Sequence, residues 1–204
     1  MGEESTTVTA FGLDGWRWLN EPELWGPREN GTLAVLTDPD TDFWRTTHYG
    51  FVRDTGHALL REVSGAFRMT VTFRGDYREQ YDQAGLLLRI DDRNWIKTGI
   101  EYVDGAPLLS AVVTRELSDW NVVPLGPLAG RPESVTLDLH RQGDTVTIRY
   151  GWDGAEPEHM LRLAYFPPGT AAQAGPMCAS PDGKGFWTDF TTLTLTEEPA
   201  AATG

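Results

Sequence analysis

Hydrophobic and polar residues alternate with a period of two along much of the chain. In residues 66–74, Phe67, Met69, Val71 and Phe73 alternate with Arg68, Thr70, Thr72 and Arg74. Val135, Leu137 and Leu139 alternate with Thr136, Asp138 and His140, and Val146, Ile148 and Tyr150 with Thr145, Thr147 and Arg149. Successive side chains of a strand point to opposite faces, so each run sets one face on a core and the other toward water. Between the runs stand turn pairs: Asp14-Gly15, Asn30-Gly31, Asp104-Gly105, Gln142-Gly143-Asp144, Asp153-Gly154 and Asp182-Gly183. Gly, Asn and Asp tolerate the positive φ that tight hairpins need. The pattern predicts strands over 16–19, 32–37, 57–63, 66–74, 82–90, 94–103, 108–115, 119–124, 134–140, 144–151, 158–165, 172–179 and 185–196. No long segment repeats its apolar residues at helical spacing, and the 13 Pro and 22 Gly would interrupt helices. The expectation is one all-β domain over residues 1–196, a sandwich or barrel, with 197–204 as a disordered tail.

Two consecutive strands depart from simple alternation. Residues 84–90, Ala-Gly-Leu-Leu-Leu-Arg-Ile, are apolar on nearly both faces, which predicts a central strand covered on both sides. Ala84, Leu86, Leu88 and Ile90 fall on one face, and Gln83, Gly85, Leu87 and Arg89 on the other. After the hairpin loop Asp91-Asp92-Arg93-Asn94, Ile96, Ile100 and Tyr102 fall on one face and Trp95, Lys97, Gly99 and Glu101 on the other. With the apolar sets inward, Gln83, Arg89, Trp95, Lys97 and Glu101 share the opposite face. Gly85 and Gly99 beside them mark a place where a ligand or another backbone comes close.

Composition narrows the classes. The hydrophobic fraction of 40%, with eight Trp, six Tyr and eight Phe, is too apolar for a disordered chain. The net charge of −13 argues against nucleic acid and anionic membrane as partners, since like charges repel. A lone Cys178 excludes an intrachain disulfide and a multi-cysteine zinc site, and reads as a small buried hydrophobe. The first residues lack the basic flank and apolar core of a secretory signal, and no apolar run is long enough to span a membrane as a helix. A cytoplasmic location is therefore expected. Asn30-Gly31-Thr32 fits a glycosylation acceptor but, without a secretory signal, reads as a turn.

The string Tyr81-Asp82-Gln83-Ala84-Gly85-Leu86-Leu87-Leu88-Arg89-Ile90-Asp91-Asp92-Arg93-Asn94-Trp95-Ile96-Lys97-Thr98-Gly99-Ile100-Glu101-Tyr102 resembles a family of concanavalin A-like domains named after a yeast regulator of enolase. Trp18-Leu19-Asn20-Glu21-Pro22, Thr41-Asp42-Phe43-Trp44-Arg45-Thr46-Thr47-His48-Tyr49-Gly50-Phe51 and Gly175-Pro176-Met177-Cys178-Ala179-Ser180-Pro181 extend the resemblance over nearly the whole chain. It implies a two-sheet antiparallel jelly-roll sandwich of the lectin and glucanase type. Members of the wider superfamily commonly bind sugars on a concave sheet, which raises the expectation of carbohydrate binding by fold analogy. The family name suggests a metabolic enzyme as a partner. No cofactor is expected; related sandwiches often hold a structural Ca²⁺, for which Asp14, Asp38, Asp40, Asp91 and Asp92 are candidate ligands.

Sugar recognition needs a flat aromatic surface for the C–H face of the ring and planar polar groups for its hydroxyls. Gln83, Arg89, Trp95, Lys97 and Glu101 supply both, and Trp44, His48 and Tyr49 are expected at the mouth of the same groove, with Trp120 as a further wall. The same residues also admit a plainer reading: a Lys97–Glu101 ion pair on a solvated sheet, with Trp95, Phe43 and Trp44 as packing and His48 as a structural residue. His57 and His140 read as strand-surface residues. A glycosidase needs two carboxylates roughly 5–9 Å apart. The Glu-x-Asp-x-x-Glu signature of laminarinase-type enzymes is absent, and Glu101 has no partner on its own strand, though Asp42 or Glu62 could approach it in space. Phosphate-loop, dinucleotide and His-Glu-x-x-His motifs are absent too. The reading favours a non-catalytic module that holds a carbohydrate or sugar-like polar ligand. The alternatives are a hydrolase or lyase using Glu101 and His48, and a regulatory protein-interaction domain.

Overall fold

The computed structural model describes residues 7–125 and 132–198. Every strand pairing among them is antiparallel. In chain order the strands are β1 (Val8–Ala10), β2 (Leu13–Leu19), β3 (Leu24–Pro27), β4 (Leu33–Leu36), β5 (Phe43–Arg45), β6 (Val52–Asp54), β7 (His57–Val63), β8 (Ala66–Gly75), β9 (Gln83–Asp91), β10 (Asn94–Val103), β11 (Ala106–Arg115) and β12 (Leu117–Pro124). They continue as β13 (Val135–Gln142), β14 (Thr145–Trp152), β15 (His159–Tyr165), β16 (Ala172–Ala179) and β17 (Trp187–Glu198).

An eight-stranded sheet runs β1-β2-β7-β16-β9-β10-β11-β12, and a seven-stranded sheet runs β15-β14-β13-β8-β17-β4-β3. The two pack face to face. Phe67, Met69, Val71, Phe73, Leu137, Leu139, Val146 and Ile148 meet Leu59, Ala84, Leu86, Leu88, Ile96 and Ile100 in one apolar core. The alternation in the sequence thus sorts side chains as expected: the odd members of the 67–73 and 135–139 runs are buried in the core and their polar neighbours lie on the opposite face, where Asp138 is itself buried beneath Arg68 and Thr70.

Each of the thirteen expected strands has a counterpart. Four short ones, β1, β3, β5 and β6, carry too few residues to show a period and were not legible. The last strand also runs into the segment expected to be a tail, where Glu197 pairs with Phe67 and Glu198 with Ala66; residues 199–204 lie outside the described residues.

The short pair β5-β6 shapes the rest of the molecule. It forms its own two-stranded ribbon, and it lies on the outer face of the eight-stranded sheet. Phe43 and Trp44 from β5 pack there on Ala58, Leu60, Leu87, Trp95, Val112 and Met177, making a second, smaller core. Polar contacts pin the ribbon down. Arg89 grips Asp54 with two hydrogen bonds of 2.7 and 2.8 Å. Arg45 N donates to Ser118 Oγ at 2.9 Å. Asn20 Nδ2 donates to the carbonyls of Asp54 and Gly56, each at 2.9 Å.

His57 corrects a sequence expectation. It is buried rather than on a strand surface. Its Nε2 accepts from Asp38 N at 3.0 Å, and its Nδ1 lies 2.6 Å from Asn20 O, so it ties the entry of the ribbon to β2. Cys178 is buried in the main core, and burial pushes its thiol pKa up.

Candidate functional site

Strands β9 and β10 bring the polar trio together through their register. Glu101 pairs across to Gln83, and Lys97 to Leu87. Gly99 pairs with Gly85, and a Cβ on Gly99 would fall 2.0 Å from the Ala84 carbonyl oxygen. The glycines therefore serve the close approach of the two backbones, not that of a ligand. Gln83, Lys97 and Glu101 all point away from the main core, as their parity requires.

They are nevertheless not open to solvent. Gln83, Lys97 and Glu101 are only 3, 4 and 7% exposed. The ribbon and the segment leading into it form a roof, and from that roof Asp42 descends into the trio. Lys97 Nζ donates to Gln83 Oε1 at 2.7 Å and to Asp42 Oδ1 at 3.3 Å. Gln83 Nε2 donates to Asp42 Oδ1 at 3.3 Å and to Tyr81 O at 3.0 Å. Asp42 Oδ1 also accepts from Phe43 N at 2.8 Å. A second chain fixes Glu101: Trp120 Nε1 donates to Ser110 Oγ at 2.9 Å, and Ser110 Oγ donates to Glu101 Oε2 at 2.8 Å. Buried polar groups that are hydrogen-bonded in this way are held in one geometry.

One edge of the roof leaves a cleft of about 160 Å³. Asp42, Lys97 and Glu101 form its polar part; Trp44, Tyr49, Phe51, Tyr81 and Trp120 form an aromatic wall; Arg53, Pro181 and Asp182 complete the lining. Trp44 and Trp120 meet edge to face at 6.4 Å, and Tyr81 meets Trp120 at 6.5 Å. The Tyr49 and Tyr81 hydroxyls are 2.8 Å apart. Tyr49 sits on the tight turn between β5 and β6, closed by hydrogen bonds from Thr46 N to Phe51 O and from Gly50 N to Thr46 O, both 2.7 Å. The cleft is smaller than the roughly 300–1,000 Å³ of drug-sized pockets, so its capacity is one small molecule.

The site perturbs two of its own groups. Burial raises the pKa of Glu101, and nearby Asp42 adds to the rise, against the opposing pull of Lys97, Ser110 and Trp120. Tyr49 is pushed up to about 12, chiefly by its hydrogen bond to Tyr81 and then by burial.

Of the nine residues singled out from the sequence, Trp44, Tyr49, Lys97, Glu101 and Trp120 line this cleft, and Gln83 stands directly behind it. Three stand elsewhere. Arg89 is committed to Asp54 and fastens the ribbon. Trp95 is 1% exposed with Phe43 packed against it at 6.1 Å, so no ring can stack on it. His48 is exposed at the tip of the turn, its ring 4.8 Å from that of Tyr49, and does not line the cleft. Glu62 pairs across to Gln173 on β16 and is absent from the lining.

Asp42, Tyr81 and Ser110 join the site without having been singled out as ligand-binding residues. Ser110 carried a signal, being a hydroxyl inside the apolar run Leu108-Leu109-Ser110-Ala111-Val112-Val113. The candidate Ca²⁺ ligands do not converge. Asp14 accepts from Thr9, Asp38 from Glu23 N, Asp91 from Arg93 N and Asn94, and Asp92 lies beside Arg45. Among the described residues no three His, Cys, Asp or Glu side chains are grouped to hold a metal ion.

Comparison with known proteins places this geometry. Regulation of enolase protein 1 of Saccharomyces cerevisiae is 38% identical over 179 residues, covering 88% of each chain. A crystal structure of a functionally unknown protein from the same yeast superposes with a TM-score of 0.82 at 36% identity, covering 94% of this chain and 100% of that one. More distant sandwiches follow. A xylan β-1,4-xylosidase from Bacillus halodurans matches at TM-score 0.64 and 13% identity, over 82% of this chain and 33% of its own. The carbohydrate-binding module CBM66 from Bacillus subtilis matches at 0.55 and 12%, over 88% and 95%. The last two likenesses concern the fold alone, a concanavalin A-like sandwich. Residues 18–198, nearly the whole described chain, match one family, and this protein belongs to it: the family described as protein of unknown function, DUF1349.

Proposed function

We propose that this protein is a non-catalytic binding module that holds a carbohydrate or sugar-like polar molecule in the cleft above Lys97 and Glu101. The observation that carries the reading is the joining of an aromatic wall to two anchored, buried polar chains in one small opening. Aromatic faces accept the C–H side of a sugar ring, and pre-set carboxylate groups accept its hydroxyl protons without first paying an ordering cost. The carbohydrate-binding module and the xylosidase among the fold neighbours are consistent with this chemistry, although their low identity transfers nothing residue by residue. A protein-docking role, which the name of the yeast relative invites, would sit better on a broad exposed apolar face than on a narrow polar cleft. Titration calorimetry with a panel of monosaccharides and short glycans tests the reading. Wild-type protein binds at least one member, and Glu101→Ala weakens that binding about tenfold or more. No binding across the panel, or equal binding by both proteins, overturns it.

One observation favours a second reading. Asp42 and Glu101 line the same cleft in different surroundings, Glu101 raised by burial and Asp42 held by Lys97, Gln83 and Phe43 N. Two carboxyl groups in unlike environments are the arrangement of glycoside hydrolysis, with Glu101 as proton donor and Asp42 as base. Turnover of aryl glycosides by wild type and its loss in both Glu101→Gln and Asp42→Asn would favour this reading; a silent wild type across the panel removes it.

A further inference from the structure

We propose that Arg53 anchors an anion in the cleft, and that the ligand class is a sugar-like ring carrying one carboxylate beside its hydroxyls, as uronic acids do. The inference rests on the binding reading above and names its ligand class.

Arg53 is the uncommitted cation of the lining. It stands on β6 directly across from Trp44 on β5, and opposed residues of an antiparallel ladder share a face, so guanidinium and indole border the opening together. Its guanidinium carbon lies over the Phe51 ring at 4.6 Å, a contact that holds the side chain but gives its N–H groups no oxygen to bond. Among the described residues no hydrogen bond or ion pair engages this guanidinium. Carboxylates are in surplus, 30 Asp and Glu against 17 Lys and Arg, yet those at hand are taken. Its chain neighbour Asp54 is bound by Arg89, and Asp42 of the same lining by Lys97. A half-buried guanidinium without a carboxylate presents the planar fork that matches one.

The acidic groups of the lining do not bar an anion. Lys97 balances the charge of Asp42 at 3.3 Å. Glu101 is hydrogen-bonded by Ser110 and Trp120, and burial raises its pKa, which favours its uncharged form. Asp182 is exposed at the rim, where water and salt screen it. Other polar atoms suit the hydroxyls of a ring. The Tyr49 and Tyr81 hydroxyls share one hydrogen bond, so one of their two protons is left for a ligand oxygen. The three donors that reach Asp42 all meet Oδ1, which leaves Oδ2 to accept a hydroxyl proton.

Charge separates a carboxylate from a phosphate. One guanidinium balances one negative charge, and a carboxylate brings one. A phosphate monoester brings about −1.5 to −2 at neutral pH, and the excess would meet a chain of net charge −13.

Titration calorimetry at low ionic strength tests this with matched ligands on one ring: glucose, glucuronate and glucose 6-phosphate, and the corresponding galactose series. The uronate of at least one series is expected to bind about tenfold or more tightly than its neutral parent and its phosphate. Arg53→Gln is expected to bring the uronate down to the level of the neutral sugar and to leave the neutral sugar unchanged. Arg53→Lys, which keeps the charge and loses the fork, should fall between. A neutral sugar or a sugar phosphate that binds as tightly as its uronate overturns the inference and leaves the binding reading standing. So does a uronate preference that survives Arg53→Gln. Silence of all members of both series overturns the binding reading and the inference with it.

Discussion

Strands β9 and β10 bury both of their faces, and the two faces are built from different chemistry. Inward, Ala84, Leu86, Leu88, Ile96 and Ile100 meet the opposite sheet in an apolar core. Outward, Leu87 and Trp95 lie beneath the ribbon, while Gln83, Lys97 and Glu101 are hydrogen-bonded in a layer that is almost as dry. The inner face gains its stability from surface removed from water, at about 25 cal/mol per Å². The outer face gains far less, because desolvating a charged pair roughly cancels its attraction. A buried polar layer on strands that could have been apolar on both sides therefore reads as retained for something other than folding.

That contrast can be broken from either side. The largest effect is expected from Lys97→Met, which strands Asp42 and Gln83 without their donor and should cost about 3–5 kcal/mol in urea unfolding. The triple change Asp42→Leu, Gln83→Leu, Lys97→Met should recover most of that loss while leaving no ligand binding. If the triple variant stays as unstable as Lys97→Met, the polar layer is part of what holds the fold. On the inner face, Leu86→Ala should cost about 2–5 kcal/mol, with affinity in the folded fraction unchanged.

Smaller effects sharpen the picture at the mouth of the cleft. Tyr81→Phe removes the partner of Tyr49 and should cost about 0.5–1.5 kcal/mol. It should also let Tyr49 titrate below about 12, toward its ordinary value, in an ultraviolet pH titration. The mildest signature is a slope. Because the folded pKa of Glu101 is raised, the folded state holds this proton at pH values where the unfolded chain has released it. Its contribution to stability is thus complete below the ordinary glutamate pKa and declines as pH rises through the raised value. Glu101→Gln should remove that decline, seen as a stability gap that shifts in favour of the variant as pH increases. A pH-independent gap would contradict the burial assigned to Glu101.

How much of this was legible in the sequence follows from the same contrast. The inner face was readable because period-two alternation reports burial directly, and Leu86, Leu88, Ile96 and Ile100 all lie where their parity sends them. Parity also sent Gln83, Lys97 and Glu101 outward together. It could not show that β5 and β6, three residues each, would fold over them, since so short a strand carries no period. That omission explains the misplaced residues. In sequence Trp95 reads as a stacking platform, but Phe43 covers it, and Arg89 reads as a ligand donor, but Asp54 reaches it first. His48 shares a sequence cluster with Trp44 and Tyr49, but the tight turn carries it to the tip and away from the cleft.

The central claim is that the polar layer beneath the ribbon faces a ligand, and indole resonances test it most directly. In a ¹⁵N-labelled sample titrated with the monosaccharide panel, the N–H signals of Trp120 and Trp44, bonded to Ser110 and Thr47, should move in a saturable way. Those of Trp16, buried in the main core, and Trp152, stacked on His159 at the end of β14, should stay in place. Unchanged Trp120 and Trp44 signals across the whole panel, or movement confined to Trp152, would contradict the account.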